Sequence, residues 1–146
     1  MSKYSLPKKE AEVSEENALK QMMLFLIRYD VNIDNFKGDE QETIKRNNDK
    51  FLECIMDGRL QVEEIDGEVK ITQFIKHQSK NSNVEKLVYR EVKGADKEEM
   101  EQGANEHKRM NQLMGAVCET PGGHSAVRQL RTSDRKAMET IAVYFL

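Results

Sequence analysis

Three side chains in the second half of the sequence could bind a transition metal, namely His107, Cys118 and His124. A structural zinc site normally takes four ligands that the chain supplies as closely spaced pairs. These three residues are loosely spaced, and no Cys-x-x-Cys pair accompanies them. We therefore expect no metal and no other cofactor, with the histidines facing solvent. Cys54 and Cys118 lie in apolar stretches and are expected to be buried, reduced thiols.

The segment Pro-Gly-Gly-His-Ser at residues 121–125 could bind a phosphate, because glycines let backbone N–H groups converge on an anion. It has neither the lysine nor the preceding strand of a phosphate-binding loop, so a turn between two helices is the better interpretation. Ser125 and His124 do not form a nucleophile–base pair by adjacency, because neighbouring residues rarely face each other. The many carboxylates are interpreted as solvated surface, and the sequence predicts a protein that is not an enzyme.

The composition describes a highly charged protein with a modest core. Its 146 residues are 38% hydrophobic and 34% charged, which excludes collagen, a coiled-coil rod and a disulfide scaffold. The net charge is −3 with the signs interleaved, and the lack of a dense basic run disfavours nucleic-acid binding. No apolar run approaches the roughly 20 residues that a membrane helix needs, so we expect a soluble, intracellular protein.

The first half of the sequence predicts a tail followed by two helices. Residues 1–13 are polar and aperiodic, as expected for a flexible tail. Residues 14–58 are predicted to be a helical pair, in which Ser14 caps the first helix and the second helix runs from about Gly38 to Asp57. The first helix has an apolar face so wide that we expect it to be well buried; that face comprises Leu19, Met22, Met23, Phe25, Leu26, Ile27 and Tyr29.

Residues 59–146 predict a small sheet followed by helices. Apolar residues alternate on both sides of Asp66-Gly67, a pair typical of a two-residue hairpin turn, and residues 84–92 are predicted as a third strand. Asp96 and the segment Thr132-Ser133-Asp134 are predicted to cap later helices. The predicted fold class is therefore α+β, mainly α-helical with a small antiparallel β-sheet (a hairpin plus one strand), in one compact unit with residues 14–58.

Two helices near the end of the sequence carry apolar stripes at helical spacing. The stripes comprise Met110, Leu113, Met114, Val117 and Cys118 in one helix and Met138, Ile141, Ala142 and Phe145 in the other. Ordinary core packing explains such stripes, but methionine-rich stripes also suit a pliable groove for the helix of another chain. The residues by themselves leave both interpretations open and indicate an interaction protein.

The order of segments over residues 60–146 is informative as well. A strand runs into an acidic helix start in Leu-Val-Tyr-Arg-Glu-Val-Lys-Gly-Ala-Asp-Lys-Glu-Glu-Met, residues 87–100. The methionine-rich helix, the Pro-Gly-Gly turn, Ser-Ala-Val-Arg-Gln-Leu-Arg-Thr-Ser-Asp at residues 125–134 and a helix ending in Tyr-Phe-Leu follow. This order resembles the tail assembly chaperones of long-tailed phages, in particular the Mu-like type. Val92 departs from the proline of that family, as do the two helices before the hairpin.

The resemblance implies a non-enzymatic protein of the host cytoplasm that acts during phage tail assembly. The implied partners are a tape-measure-like helical protein and the tail-tube subunit, with a homo-oligomer also considered and with no membrane. We expect the two apolar stripes to bind the partner, through the residues Met110, Leu113, Met114, Val117, Met138, Ile141, Phe145 and Leu146.

Two other functions fit the size and charge of the protein. A structural or adaptor component of the phage virion would share these properties and would be present in purified particles. A small regulatory protein could use its last two helices to bind DNA, but the final helix offers only Arg131, Arg135 and Lys136 near its start, and Glu139 follows. Nucleic acid is therefore the less favoured partner.

Overall fold

The computed structural model describes residues 10–80 and 82–146. They form six α-helices and three strands, with two short 3-10 turns at Ile33–Asn35 and Val143–Phe145. The helices are α1 (Glu15–Arg28), α2 (Gly38–Met56), α3 (Gly94–Met100), α4 (Glu106–Val117), α5 (Gly123–Arg128) and α6 (Thr132–Ala142), and the strands are β1 (Leu60–Ile65), β2 (Glu68–Phe74) and β3 (Lys86–Tyr89). The predicted α+β class is confirmed.

The predicted flexible tail lies mostly outside the described residues, which begin at residue 10. Its last two described positions are held in place, because the backbone N–H groups of Glu12 and Val13 both donate to the Met56 carbonyl oxygen, at 2.9 and 3.1 Å. These two hydrogen bonds attach the last residues of the predicted tail, Glu12 and Val13, to the end of α2.

Helix α1 begins where the sequence predicts. The Ser14 side chain accepts a hydrogen bond from the Asn17 backbone N–H at 3.2 Å, which satisfies one of the N–H groups left free at a helix start. Two glutamates occupy the first turn, where the helix dipole favours negative charge. One face of the helix is buried, through Ala18, Met22, Phe25 and Leu26.

The three strands form an antiparallel sheet in the order β1-β2-β3. Asp66 and Gly67 make the hairpin turn with φ angles of 53° and 81°, a left-handed pair that matches the twist of a two-residue hairpin. The register places Ile71 opposite Val62 on one side and opposite Tyr89 on the other. Strand β3 is shorter than the predicted residues 84–92, since only Lys86–Tyr89 pair with β2.

Both outer edges of the sheet are partly covered. On the β1 side, the Val62 N–H donates to the Gln21 side chain of α1 at 2.9 Å. On the β3 side, the Arg90 N–H donates to the Val117 carbonyl oxygen and the Glu119 N–H donates to the Val88 carbonyl oxygen, both at 2.8 Å. The backbone groups that these contacts occupy are not free to pair with a strand of another chain.

One continuous core joins residues 14–58 to residues 59–146. Every α-helix and every strand contributes buried apolar side chains to it, including Phe25 of α1, Phe51 of α2, Leu87 of β3 and Met138 of α6. The helical pair and the rest of the described chain therefore share one hydrophobic core.

Two aspartates predicted as helix caps lie inside the first turn instead. Helix α3 begins after Lys93, and the third residue, Asp96, accepts the Lys93 backbone N–H at 2.8 Å. Helix α6 begins after Arg131, and Asp134 is buried within its first turn. The two carboxylate oxygens of Asp134 accept the backbone N–H groups of residues 76 and 77, each at 2.9 Å. Asp96 thus caps α3 from its third position, whereas Asp134 binds backbone groups outside its own helix.

Candidate protein-interaction site on helix α1

The residues predicted to bind a partner lie mainly in the core. Seven of them are buried, namely Met110, Leu113, Met114, Val117, Met138, Ile141 and Phe145. Leu146 is the exception, with 48% of its surface exposed. The structure thus places seven of the eight predicted partner-binding residues in the core, because α4 and α6 turn their stripes toward the protein's own sheet and helices.

The end of α6 packs against the first two helices, which explains this burial. The Phe145 ring packs edge-on against Tyr29 and Phe25, with ring centroids 4.9 and 6.1 Å apart. The Asn47 side chain of α2 donates to the Thr140 carbonyl oxygen at 2.9 Å. Aromatic pairs of this geometry add to the stabilisation that burial provides. A partner could reach the stripe only after this packing had been broken.

A different apolar surface is exposed on α1. Leu19, Met23 and Ile27 are 40%, 45% and 71% exposed. They follow one another at intervals of four residues, so they form a ridge about 12 Å long on one side of the helix. Asn17 and Leu24 flank the ridge. We call these three residues the α1 ridge.

The α1 ridge continues into a groove beside the loop after α1. Met23 and Ile27 line this groove together with Val31, Ile33 and Asn48, around an open depression of about 590 Å³. A large exposed apolar side chain is common by itself, but three in a row beside an apolar groove mark a surface suited to a partner. The expectation that the wide apolar face of α1 is well buried is therefore wrong for Leu19, Met23 and Ile27.

Acidic residues lie at both ends of this surface. At the start of α1, Glu16 and Lys20 lie beside the ridge and pair with each other at 3.8 Å. At the other end, Asp30 and Asp34 line the groove. Within the described part of the chain, neither aspartate side chain forms an ion pair or hydrogen bond. Glu15 also lies at the start of α1, one helical turn before Leu19, so both ends carry net negative charge.

Two ion pairs in which a guanidinium makes two hydrogen bonds to a carboxylate stabilise the fold. Arg90 binds Asp96 with two hydrogen bonds of 2.8 Å, and this guanidinium lowers the pKa of Asp96. Arg28 binds Glu91 at 2.6 and 3.0 Å and lowers the pKa of that carboxyl. Both pairs tie the segment after β3 to its neighbours, so they stabilise the tertiary structure.

The cysteines and histidines form no candidate centre. Cys54 is half-buried, and burial raises the pKa of its thiol to about 11, so little thiolate is present near neutral pH. Burial also raises the pKa of Cys118. Among the residues that the structure describes, no three His, Cys, Asp or Glu side chains come together in a way that could hold a metal ion.

The Pro-Gly-Gly segment is a turn between two helices, which confirms that interpretation. The Gly123 backbone N–H donates to the Thr120 carbonyl oxygen at 2.8 Å, and α5 begins at once after Gly122. Gly123 is packed against Cys118 so closely that a side chain at this position would meet the sulfur atom. The segment thus holds α4 and α5 together.

Comparisons of the chain with protein-family models, with curated proteins and with solved structures find no match. Over the described residues, no helix combines the length and the apolar character that crossing a membrane would require. The fold and the site define an α+β protein with one exposed apolar helix surface.

Proposed function

We propose that this protein is a non-enzymatic assembly chaperone that binds a helical segment of another protein. The proposed partners are those of phage tail assembly, a tape-measure-like helical protein and the tail-tube subunit, and the proposed location is the host cytoplasm. The observation that carries the proposal is the α1 ridge, an exposed row of three large apolar side chains beside a groove. The ridge replaces the buried stripes of α4 and α6 as the proposed binding surface.

The geometry of the ridge suits a helix as its occupant. Its side chains recur every four residues, which is the spacing at which two packed helices interdigitate. An amphipathic helix binds such a surface through apolar residues at intervals of three and four. A chaperone of this kind would cover apolar stripes of the partner. The charged residues on the rest of its surface would keep the complex from aggregating.

The partners named above can be tested directly. The tagged chain is mixed with purified tape-measure protein and with purified tail-tube subunit, both from the genome that encodes it, and retention is measured. We expect retention of at least one of them, with a loss of at least about tenfold in affinity for Met23→Asp, because a desolvated carboxylate faces the apolar partner.

The matched control is Ile65→Asp. Ile65 is similarly exposed, at 41%, but lies beside the hairpin turn at the end of β1 and lines neither the ridge nor the groove. Circular dichroism spectra and thermal unfolding of both variants should match those of the unchanged protein. Failure to retain either partner, or equal binding by the Met23→Asp protein, would contradict the proposal. Presence of the chain in purified virions would favour the structural-component alternative instead.

A further inference from the structure

One buried polar side chain of the groove has a hydrogen-bond donor that no described residue accepts. Asn48 of α2 lines the groove and is only 8% exposed. Its Oδ1 atom accepts a hydrogen bond from the Tyr144 hydroxyl of the last 3-10 turn. Its Nδ2 group donates to none of the described residues, and none of their fully buried side-chain nitrogen or oxygen atoms lacks a partner. The Nδ2 group is therefore not sealed in the core and opens into the groove.

The surroundings of this donor set a condition for any partner. Met23, Ile27 and Val31 line the same groove as Asn48. A wholly apolar partner that covered the groove would remove the Nδ2 group from water without a hydrogen bond, and an unpaired donor weakens binding. A partner that fits must therefore bring a hydrogen-bond acceptor to Asn48.

We propose that the partner helix carries a glutamine or asparagine in its apolar stripe, and that this carboxamide accepts a hydrogen bond from Asn48 Nδ2. This inference rests on the proposed function and specifies the partner's chemistry. It gives the two ends of the Asn48 side chain different roles, because Oδ1 binds Tyr144 and Nδ2 selects the partner. A single polar residue in an apolar stripe also fixes the register of two packed helices.

Charged side chains of a partner fit the groove less well than a carboxamide. Asp30 and Asp34 line the groove too, so a partner carboxylate would accept from Asn48 but would meet two like charges. An ammonium or guanidinium group would attract the aspartates, but it has no acceptor for Asn48. A carboxamide meets both requirements, because its oxygen accepts and its NH2 group can donate to a carboxylate.

Four designed helical peptides test the proposal. They share a leucine stripe at intervals of three and four residues and differ at one central position of the stripe, which is glutamine, leucine, glutamate or lysine. We expect the glutamine peptide to bind about tenfold more tightly than the leucine peptide, because the leucine peptide leaves the donor of Asn48 desolvated and unpaired. The glutamate and lysine peptides should also bind more weakly than the glutamine peptide.

A double variant of the chain, Asn48→Leu with Tyr144→Phe, locates the effect. It removes the donor from the groove, and the simultaneous loss of the Tyr144 hydroxyl leaves no new unpaired group, so circular dichroism and thermal unfolding should change little. We expect this variant to bind the leucine peptide at least as tightly as the glutamine peptide. The matched control is Tyr144→Phe alone, which retains the Asn48 amide and should retain the preference for glutamine.

The outcomes distinguish this inference from the proposed function. Equal binding of the glutamine and leucine peptides, each abolished by Met23→Asp, would overturn the carboxamide inference and leave the proposed function standing. Tightest binding of the glutamate or lysine peptide, or a preference for glutamine that survives the double variant, would also overturn it. If no peptide binds and the chain sediments as a dimer that Met23→Asp dissociates, a second copy occupies the groove and both proposals fail.

Discussion

Substitution of Phe145 and of Ile27 by alanine tests which apolar side chains belong to the core and which are exposed to solvent. The Phe145 side chain is 6% exposed and contacts the rings of Phe25 and Tyr29. The Ile27 side chain is 71% exposed and lies on the α1 ridge. We therefore expect the first substitution to lower the free energy of unfolding strongly and the second hardly to change it.

The magnitudes follow from burial. Removal of a buried phenylalanine ring costs about 3–5 kcal/mol, which includes the cavity left behind. Part of that cost is the two edge-on ring pairs, at about 0.5–1.5 kcal/mol each. We therefore expect Phe145→Ala to lower the free energy of unfolding by about 3–4 kcal/mol. An exposed site such as Ile27 should change it by no more than about 0.5 kcal/mol.

Urea unfolding followed by circular dichroism measures both values, provided that the slope with denaturant stays constant. Leu146→Ala is the matched control, because Leu146 adjoins Phe145 but is 48% exposed. A loss of less than about 1 kcal/mol for Phe145→Ala would mean that the end of α6 is not packed on α1. A loss as large for Leu146→Ala would show that the effect does not depend on burial.

Three further predictions test other parts of the structure. Asp134→Asn should lower the free energy of unfolding by about 2–3 kcal/mol, because an amide cannot accept both backbone N–H groups. The control Glu139→Gln should lower it by less than about 1 kcal/mol. Equal losses for the two variants in urea unfolding would contradict the buried role of Asp134. Because Arg90 lowers the pKa of Asp96, their pairing stabilises the protein above the unfolded carboxyl's pKa of about 4 and is lost as pH falls below it. Acid titration of stability should therefore show a smaller decline for Asp96→Asn. With its pKa raised to about 11, Cys54 should react with iodoacetamide at pH 8 at least about tenfold more slowly than free cysteine, and equal rates would refute its burial.

The elements that the sequence predicts well depend on residues near one another in the chain. Ser14 caps α1 through a bond to a residue three positions later, and Asp66-Gly67 forms its turn from its own backbone angles. The position of Asp134 was predicted less well, because its partners lie 57 and 58 residues away in the sequence. Contacts between residues so far apart leave no periodic pattern in the sequence, so Asp134 is predicted only as an ordinary helix cap.

The α1 ridge could not be recognised from the apolar periodicity of the sequence, because an apolar stripe has the same helical period in a core as on an exposed surface. The width of the apolar face indicates better than its period whether some of its side chains remain exposed. In α6, Met138 and Ile141 form a stripe on the side opposite Lys136, and the core takes up the whole stripe. In α1, eight of the eleven residues 19–29 are apolar, which is more than one packed face can cover. The surplus side chains of this wide face, Leu19, Met23 and Ile27, are exposed as the α1 ridge.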